Sequence, residues 1–374
     1  MWAWKGPRYT GLGTKGVPAS NRYAVGHSQS LGNRGPLFRR CSWSQRPGTR
    51  QGHSQPVWPV VSHAEVREEK NEQRTLELPN GMTCTYSSKL DVEFLYHEVY
   101  EKRGYLKHGV TLSPGNTVMD VGANIGFFAM SAAEMCGSAG TVICMEPIPE
   151  THEALLTNMK LHRRWHCDSG DSVPANVTAL NCGVGDGTQP FAEFTSYPRA
   201  AGWSTMRPDP DGVVRDMTAF LDSSLATPNI GIPETLLVRM ARGVQRLFPW
   251  LVRLAVRLYV WAVMLRVKEV LRCQLKSVSQ VMLEQRLSTV DLLKIDVERA
   301  EVDALRGVEP SDWPQIQQVV MEVHDSNNAL QEAMSILTGA GGFDNVVVEQ
   351  DDALKGTDLY TMYCTRADSA VAGP

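Results

Sequence analysis

Several common site types are missing from this chain of 374 residues. None of its eight cysteines (41, 84, 136, 144, 167, 182, 273 and 364) stands in a CxxC pair, and several lie inside apolar runs. That argues against a zinc knuckle or a disulfide framework and for a reducing compartment. No GxxxxGK[ST] string is present, so a phosphate-cradling P-loop is not supported. There is no secretory h-region, and the most apolar stretch, 247–265, is broken by Pro249, Arg253 and Arg257, which makes a membrane span improbable. Asn176-Val177-Thr178 matches a glycosylation sequon, but without a secretory leader it reads as chance.

Acidic residues are absent from the start. Through Ala64 there are nine Lys and Arg and no Asp or Glu, in a Gly-, Pro- and Ser-rich background with isolated Trp2, Trp4, Trp43 and Trp58. Residues 1–74 are therefore expected to be a disordered basic arm. Its composition is that of a transit peptide to a plastid or mitochondrion, with a plain extension on a cytoplasmic protein as the other reading; secretion is not expected. Residues 367–374 read as a disordered tail. All 41 acidic residues lie beyond Ala64, and the whole chain has a formal charge of -4, so nothing in the balance asks for nucleic acid.

What is present is alternation. "LELPNGMTCTYSS" reads as two short strands around Pro79-Asn80-Gly81, and "DVEFLYHEVYEKRGY" as a helix with Val92, Leu95, Tyr96, Val99 and Tyr100 on one face. Beyond it, short apolar runs such as "TVMDVG", "TVICME", "VDLLKID" and "QVVMEVH" are separated by helical stretches. A parallel sheet covered on both faces requires this pattern. The expected architecture over 75–366 is therefore α/β and doubly wound, with a mostly parallel sheet and a helical insert over about 222–276.

The sharpest local feature is "VMDVGANIGFFAM", residues 118–130, a strand-to-helix turn. Gly122 permits a backbone bend that a Cβ would obstruct, and Gly126 permits close approach of helix and strand. The dinucleotide pattern GxGxxG would need glycine at 124 and 127, where this chain has Asn124 and Phe127, and Asp120 would repel a pyrophosphate. A carboxylate there can instead bind, directly or through water, the ammonium end of an amino-acid-like nucleoside such as S-adenosylmethionine. Glu146, at the end of the next strand, stands where an acid can accept both ribose hydroxyls of a nucleoside.

These strings resemble the FkbM family of S-adenosylmethionine-dependent methyltransferases, most of all the O-methyltransferase domains within or beside polyketide and nonribosomal peptide synthases. "LPNG", "EFLYHEVY", "VMDVGANIGFFA", "EPIPE", "NCGVGD", "GWSTM", "DLLKIDVERAE" and "VVVEQDDALKGTDLY" run in family order over roughly residues 76–366. The resemblance implies a Rossmann-like methyltransferase fold. It implies Asp120, Gly122, Asn124, Gly126 and Glu146 as cofactor contacts, and the Asn181 to Asp186 loop near the adenine. It also implies a hydroxylated acceptor that is small or carrier-bound. One departure is Arg299, where many relatives have glycine; its Cβ restricts that turn and its guanidinium could reach a substrate acid or an acidic neighbour.

On the acceptor side, strand ends supply Asp296, Glu298 and Glu301 in one string and Glu322, His324 and Asp325 in another. His324 is one candidate general base, because an imidazole titrates near neutrality. A divalent cation between Asp296 and Asp325 or Glu322 is a second way to lower the acceptor's pKa. Asp296 and Glu298 are the further catalytic candidates, against the plainer reading that Lys294, Glu298 and Glu301 form ion pairs around a helix start. The loop "SYPRAAGWSTM", 196–206, is expected to cover the transfer site, with Trp203 either part of that cover or a surface aromatic.

Two features remain. Residues 234–276 hold nine basic and two acidic residues in an apolar helical background, with Arg239, Arg242, Arg246, Arg253 and Arg257 on one stripe. This reads as a helix pair packed on the body with its arginines in water; a membrane-surface or synthase contact and a lid are the other readings. His162, His166 and Cys167 read as a solvated helix end rather than a zinc site. A nicotinamide-dependent dehydrogenase and a catalytically inactive scaffold are the competing functions.

Overall fold

The computed structural model describes residues 74–86, 89–170, 172–226 and 236–367. The basic arm up to residue 73, the tail from 368 and residues 227–235 of the insert lie outside the described residues.

The chain enters through the antiparallel hairpin β1 (Arg74–Glu77) and β2 (Thr83–Tyr86), whose turn is closed by Gly81 at φ 86°. Helix α1 (Lys89–Tyr96) runs into a wider turn over His97–Glu101. Val92, Leu95, Tyr96, Val99 and Tyr100 all pack into one apolar cluster, as the helical spacing anticipates. Next come β3 (Thr117–Val121), α2 (Phe127–Cys136), β4 (Thr141–Met145), α3 (Pro149–Ser169), β5 (Asn176–Leu180), β6 (Gly183–Val184) and β7 (Phe191–Ser196). The helices α4 (Pro210–Ala226), α5 (Leu236–Leu247) and α6 (Pro249–Tyr259) precede β8 (Glu269–Lys276) and α7 (Val278–Gln285). The chain ends with β9 (Leu292–Ile295), α8 (Glu301–Arg306), β10 (Gln318–His324), α9 (Ala329–Thr338), β11 (Asn345–Glu349) and β12 (Leu359–Thr365).

Seven strands form the central sheet in the order β11-β12-β10-β9-β3-β4-β5. Pairings from β10 across to β5 are parallel, and β12 is antiparallel to both its neighbours. This is the doubly wound, mostly parallel, Rossmann-like architecture read from the sequence. Successive residues of the central strands sort onto opposite faces. Met119, Val121, Leu293 and Ile295 enter one core, and Val118, Val142, Cys144 and Leu292 the other. Asp120 and Lys294 share the second parity and are the charged exceptions within it.

From β3 the chain winds outward to β5, then returns to the other side of β3 to form β9 and β10. The winding direction therefore reverses between β3 and β9, and in such sheets the crevice beyond the strand ends at that point receives the ligand.

A second, three-stranded sheet orders as β6-β8-β7, with the three helices α4 to α6 inserted between β7 and β8. The helical insert expected over about 222–276 thus begins earlier, at Pro210, and its last residues are strand. In "EVLRCQLK", Leu271, Cys273 and Leu275 alternate toward a cluster with Ile148 and Phe194, a two-residue period concealed in a run that also fits a helix. Four of the five stripe arginines, Arg239, Arg246, Arg253 and Arg257, are exposed as expected, and Arg242 is buried. Leu247, Phe248, Trp250, Leu258 and Trp261 are exposed as well, so much of the apolar side of the insert faces outward, which the sequence reading did not anticipate. Among the described residues no helix is long and apolar enough to cross a membrane. The cysteines described are all free, and only Cys167 is exposed.

Asn158 on α3 fixes the entry hairpin to the glycine turn. Its Oδ1 accepts from the Thr85 backbone N–H at 2.7 Å, and its Nδ2 donates to the carbonyls of Thr85 at 3.1 Å and Ile125 at 2.9 Å. Replacing it by leucine strands these buried groups, at about 1–3 kcal/mol for each one left unpaired. Urea denaturation of Asn158→Leu is expected to show a loss of at least about 2 kcal/mol, and an unchanged midpoint would disprove this role.

Candidate active site

Two glycines shape the crevice. Gly122 ends β3 at φ 77°, and a Cβ there would stand 1.8 Å from the Asp296 carbonyl oxygen, so the ends of β3 and β9 can close together only over glycine. Gly126 opens α2 at φ 96°, where a Cβ would meet Leu155 Cδ1 at 2.5 Å and Met159 Cε at 2.6 Å on α3. Between them Asn124 is left-handed at φ 49°, and its Oδ1 accepts from the Ile125 N–H at 2.8 Å. Gly122 and Asn124 line the crevice; Gly126 shapes it from behind.

Glu146, just beyond β4, lines the same space. Its two oxygens accept backbone N–H bonds from Ile148 at 2.9 Å and Asn124 at 3.0 Å, which aim the carboxylate. Each oxygen keeps a further lone pair for a hydroxyl donor. Burial pushes its carboxyl up to about 7 against the pull of those backbone donors. Asn181 acts one step back: its Nδ2 donates to the carbonyls of Glu146 at 2.9 Å and Pro147 at 3.1 Å, so it positions the strand end. Asp186 is not brought into the crevice. It is exposed and accepts from Thr188, whereas Gly183 and Val184 of the same segment do line the crevice.

Asp120 requires a correction. It is fully buried beneath the turn and does not line the crevice, so a direct contact with a cofactor ammonium is not what the fold provides. Its neighbour is Lys294, whose ammonium stands 3.1 Å from Asp120 Oδ1, 3.3 Å from Asp296 Oδ2 and 3.0 Å from the Gly122 carbonyl it donates to. Neither Asp120 oxygen receives a well-aligned hydrogen bond, so charge attraction holds the pair. Burial raises Asp120 above the usual carboxylate range, with Lys294 opposing, while the acids around Lys294 overcome its burial and keep it charged. Asp120 sits beneath the turn as the buried half of an ion pair with Lys294. The ion pairs expected of Lys294, Glu298 and Glu301 take other partners: the lysine meets Asp120 and Asp296, and the two glutamates meet His324.

Around the end of β9 the acceptor candidates converge. Asp296 and Glu298 line the crevice. The Tyr105 hydroxyl reaches Glu322 Oε1 at 2.8 Å and Asp296 Oδ2 at 3.2 Å, bridging β9 and β10. Burial, reinforced by Asp296, pushes Glu322 up to about 8. His324 is buried with both ring nitrogens committed, Nδ1 to Glu301 at 3.0 Å and Nε2 to Glu298 at 3.4 Å. Burial disfavours its charge, but Glu298 and Glu301 outweigh that and hold it up to about 9. Burial likewise raises Glu298 to about 8, with His324 opposing. Each shift presumes the other's charge; their common outcome is a proton retained in the Glu298–His324–Glu301 group through neutral pH. Both ring nitrogens of His324 are engaged by carboxylates and the ring does not line the crevice, so the geometry sets it behind Glu298.

Asp325 stands outside this group: its Oδ1 accepts from the Leu330 N–H at 3.2 Å at the start of α9. Of the two partners offered to Asp296 in the cation reading, Glu322 is brought beside it through the Tyr105 hydroxyl, and neither pair belongs to a ligand-spaced group of three among the described residues. Arg299, at φ 73° beside Glu298 at φ 50°, turns to acidic neighbours, meeting Asp216 at 2.8 Å and Asp209 at 3.6 Å. The 196–206 loop does border the crevice through Ala201, Gly202, Ser204 and Met206, while Trp203 packs toward the insert against Ala200 and Val213.

The sequence reading missed Tyr105 and the place of Lys294. A lysine within an otherwise apolar strand, "LLKI", is a signal, since a buried charge must be paired. Tyr105 offers none of that kind.

Glu146, Asp296 and Glu298 line the crevice, and no Lys or Arg does so among the described residues. A pyrophosphate would be repelled, whereas a sulfonium nucleoside bearing an ammonium group is attracted, and the glycine cradle admits its close approach. A doubly wound sheet with this glycine turn and a crevice lined by carboxyl groups fits an S-adenosylmethionine-dependent methyltransferase.

Comparison with known proteins agrees. Residues 265–343 match the Methyltransferase FkbM domain model, and residues 100–202 match the model of Protein-L-isoaspartate(D-aspartate) O-methyltransferase. The 31-O-demethyl-FK506 methyltransferase FkbM of Streptomyces tacrolimicus is 34% identical over 78% of this chain and 96% of its own length. AMB antimetabolite synthetase AmbE of Pseudomonas aeruginosa is 29% identical over 82% of this chain but only 13% of its own length. A crystal structure of Methyltransferase FkbM from Methylobacillus flagellatus superposes with a TM-score of 0.38 at 12% identity, over 72% of this chain and 47% of that one. The chain belongs to the FkbM methyltransferase family.

Two outcomes follow from the buried charges. Lys294→Met leaves Asp120 and Asp296 without their cation and is expected to cost about 3–5 kcal/mol in urea denaturation; a loss under about 1 kcal/mol would refute the pairing. For pH, His324 is raised above its ordinary 6.5, so its stabilising contribution is full below pH 6.5 and lost as pH rises through about 9. Glu298 and Glu322, raised from 4.5 to about 8, lose stability in the same direction as they ionise. The urea midpoint should therefore fall between pH 6.5 and 9, and a flat profile would contradict the proton assignment.

Proposed function

We propose that this methyltransferase acts on a hydroxyl oxygen of a small or carrier-bound metabolite, with Glu298 as the group that takes the hydroxyl proton. The observation that carries this reading is the placement of Glu298: it lines the crevice that Gly122 and Glu146 form, and it is backed by His324. S-adenosylmethionine, when bound, supplies an electrophilic methyl carbon, so that the carbon–sulfur bond breaks as the carbon–oxygen bond forms. Gly122 and Asn124 give the cofactor close backbone approach, and Glu146 accepts its ribose hydroxyls. Asp296, held by Lys294 and Tyr105, presents its carboxyl group at the mouth of β9, where a cationic centre is favoured.

On the acceptor side, burial raises Glu298 to about 8 with His324 opposing, so the ionised carboxylate that accepts a proton gains population as pH rises toward 8. The proton leaves the acceptor hydroxyl for Glu298, and His324 steadies the carboxylate from behind. The 196–206 loop limits water at the open side. A carrier-bound acceptor is supported by the similarity to a segment of a synthetase and by the exposed apolar and arginine-bearing surface of α5 and α6. That surface is our candidate for synthase contact.

Two substitutions separate the roles. Glu146→Ala should weaken S-adenosylmethionine binding at least about tenfold by calorimetry, equivalent to about 1.4 kcal/mol. Glu298→Gln should lower turnover about 100-fold or more while leaving cofactor affinity within about twofold. Unchanged turnover in Glu298→Gln removes the base assignment. Mass spectrometry of hydroxylated, amino and carboxylate acceptors for a gain of one methyl group tests the oxygen assignment, and methylation confined to nitrogen would overturn it.

A further inference from the structure

The two histidines that read as a solvated helix end are buried. His162 and His166, one helical turn apart on α3, are 2% and 8% exposed, and both face Glu134 on α2. Cys167, the third residue of that motif, is exposed and takes no part. Glu134 Oε1 lies 2.9 Å from His162 Nε2 and 3.5 Å from His166 Nε2, and one ligand atom from each residue falls within 4.8 Å of the others. The two rings pack edge to face at 4.7 Å, and Trp165 closes over His166 at 4.9 Å.

A plain hydrogen-bonded cluster accounts for half of this. The bond between His162 and Glu134 satisfies both partners. His166 is different: its Nδ1 and Nε2 are both buried without a hydrogen-bond partner, although an unpaired buried polar group costs about 1–3 kcal/mol. A metal ion is the partner that the imidazole lacks. Zinc at 2.0–2.2 Å from nitrogen and oxygen ligands in a tetrahedron places those ligands about 3.3–3.6 Å apart; the 3.5 Å from Glu134 to His166 falls within that range and the 2.9 Å to His162 falls short of it.

We propose that Glu134, His162 and His166 form a zinc-binding clasp between α2 and α3. Two imidazoles and one carboxylate suit borderline Zn²⁺, whereas Mg²⁺ and Ca²⁺ call for oxygen ligands throughout. Glu134 is 29% exposed, so a water can complete the fourth position. The Tyr100 hydroxyl donates to Glu134 Oε1 at 3.4 Å and orients the carboxylate from behind, as outer partners of metal ligands do. The N-terminal ends of α2 and α3 border the crevice at Gly126 and beyond Pro147, and the three residues lie toward their opposite ends. The ion therefore joins the two helices at a distance from the methyl-transfer chemistry, and it requires nothing of the acceptor assignment.

The test uses the full chain, stripped with a chelator and titrated with Zn²⁺ in competition with a chromophoric chelator. One tight equivalent is expected, with a rise in Tm that Mg²⁺ does not reproduce. The His162→Gln/His166→Gln double variant should weaken this equivalent at least about 100-fold, since even outer partners of ligands are worth 10–100-fold. Cys167→Ser should retain it. X-ray absorption of the zinc-loaded wild type should show nitrogen and oxygen neighbours with imidazole scattering, which keeps the test decisive if the double variant does not fold. Absence of a tight equivalent, its survival in the double variant, or a sulfur neighbour would each overturn the proposal. S-adenosylmethionine affinity should be equal in zinc-free and zinc-loaded protein, so failure of the clasp and failure of the methyltransferase reading give different results.

Discussion

The buried ammonium of Lys294 is the constraint on which this site depends. Parallel strands β3 and β9 are separated by 170 residues of chain, yet their ends must meet closely enough to leave no room for a Cβ at Gly122. One cation on β9 reaches an acid on β3, an acid at its own strand end and the carbonyl of the glycine turn. The rings of Tyr105 and Phe128 lie 5.3 and 5.9 Å from it, an aromatic surround that also favours a cation. The crevice can be lined by carboxylates because the compensating positive charge sits underneath, out of reach of any ligand.

This arrangement explains which parts of the site were legible in the sequence. The turn from Val118 to Met130 was readable because its requirements are local: a strand, a bend that only glycine allows, a helix. Glu146 was readable for the same reason, as an acid at a strand end. Asp120 lies deeper than its residue type alone indicates, because parity decides which way it turns. It shares a face with Val118, so its side chain turns into the core beneath α2 and not toward the ligand. The doubly wound fold followed from apolar runs alternating with helices, whereas β8 was lost because Leu271, Cys273 and Leu275 keep a two-residue period inside a run that also satisfies a helical one.

The state of His324 lay beyond sequence reasoning for a different reason. An isolated imidazole titrates near neutrality, and nothing in "QVVMEVHD" says otherwise. Glu298 and Glu301 come from the segment after β9, and only the pairing of β9 with β10 brings them against the ring. Long-range adjacency of this sort sets protonation and decides which side chain lines the crevice. The same holds for His162 and His166, whose spacing was evident but whose burial depends on α2 lying across them.

Arg299 adds a mechanical consequence. Two consecutive residues, Glu298 and Arg299, hold left-handed backbone, a conformation that costs on the order of 1 kcal/mol or more for each side chain with a Cβ. The guanidinium of Arg299 is anchored to Asp216 on α4 and to Asp209 just before that helix. The peptide carrying Glu298 is therefore strung between the sheet and the inserted helices like a bridge between two piers. Any force that shifts the insert reaches the Glu298 carboxyl group through a single covalent link.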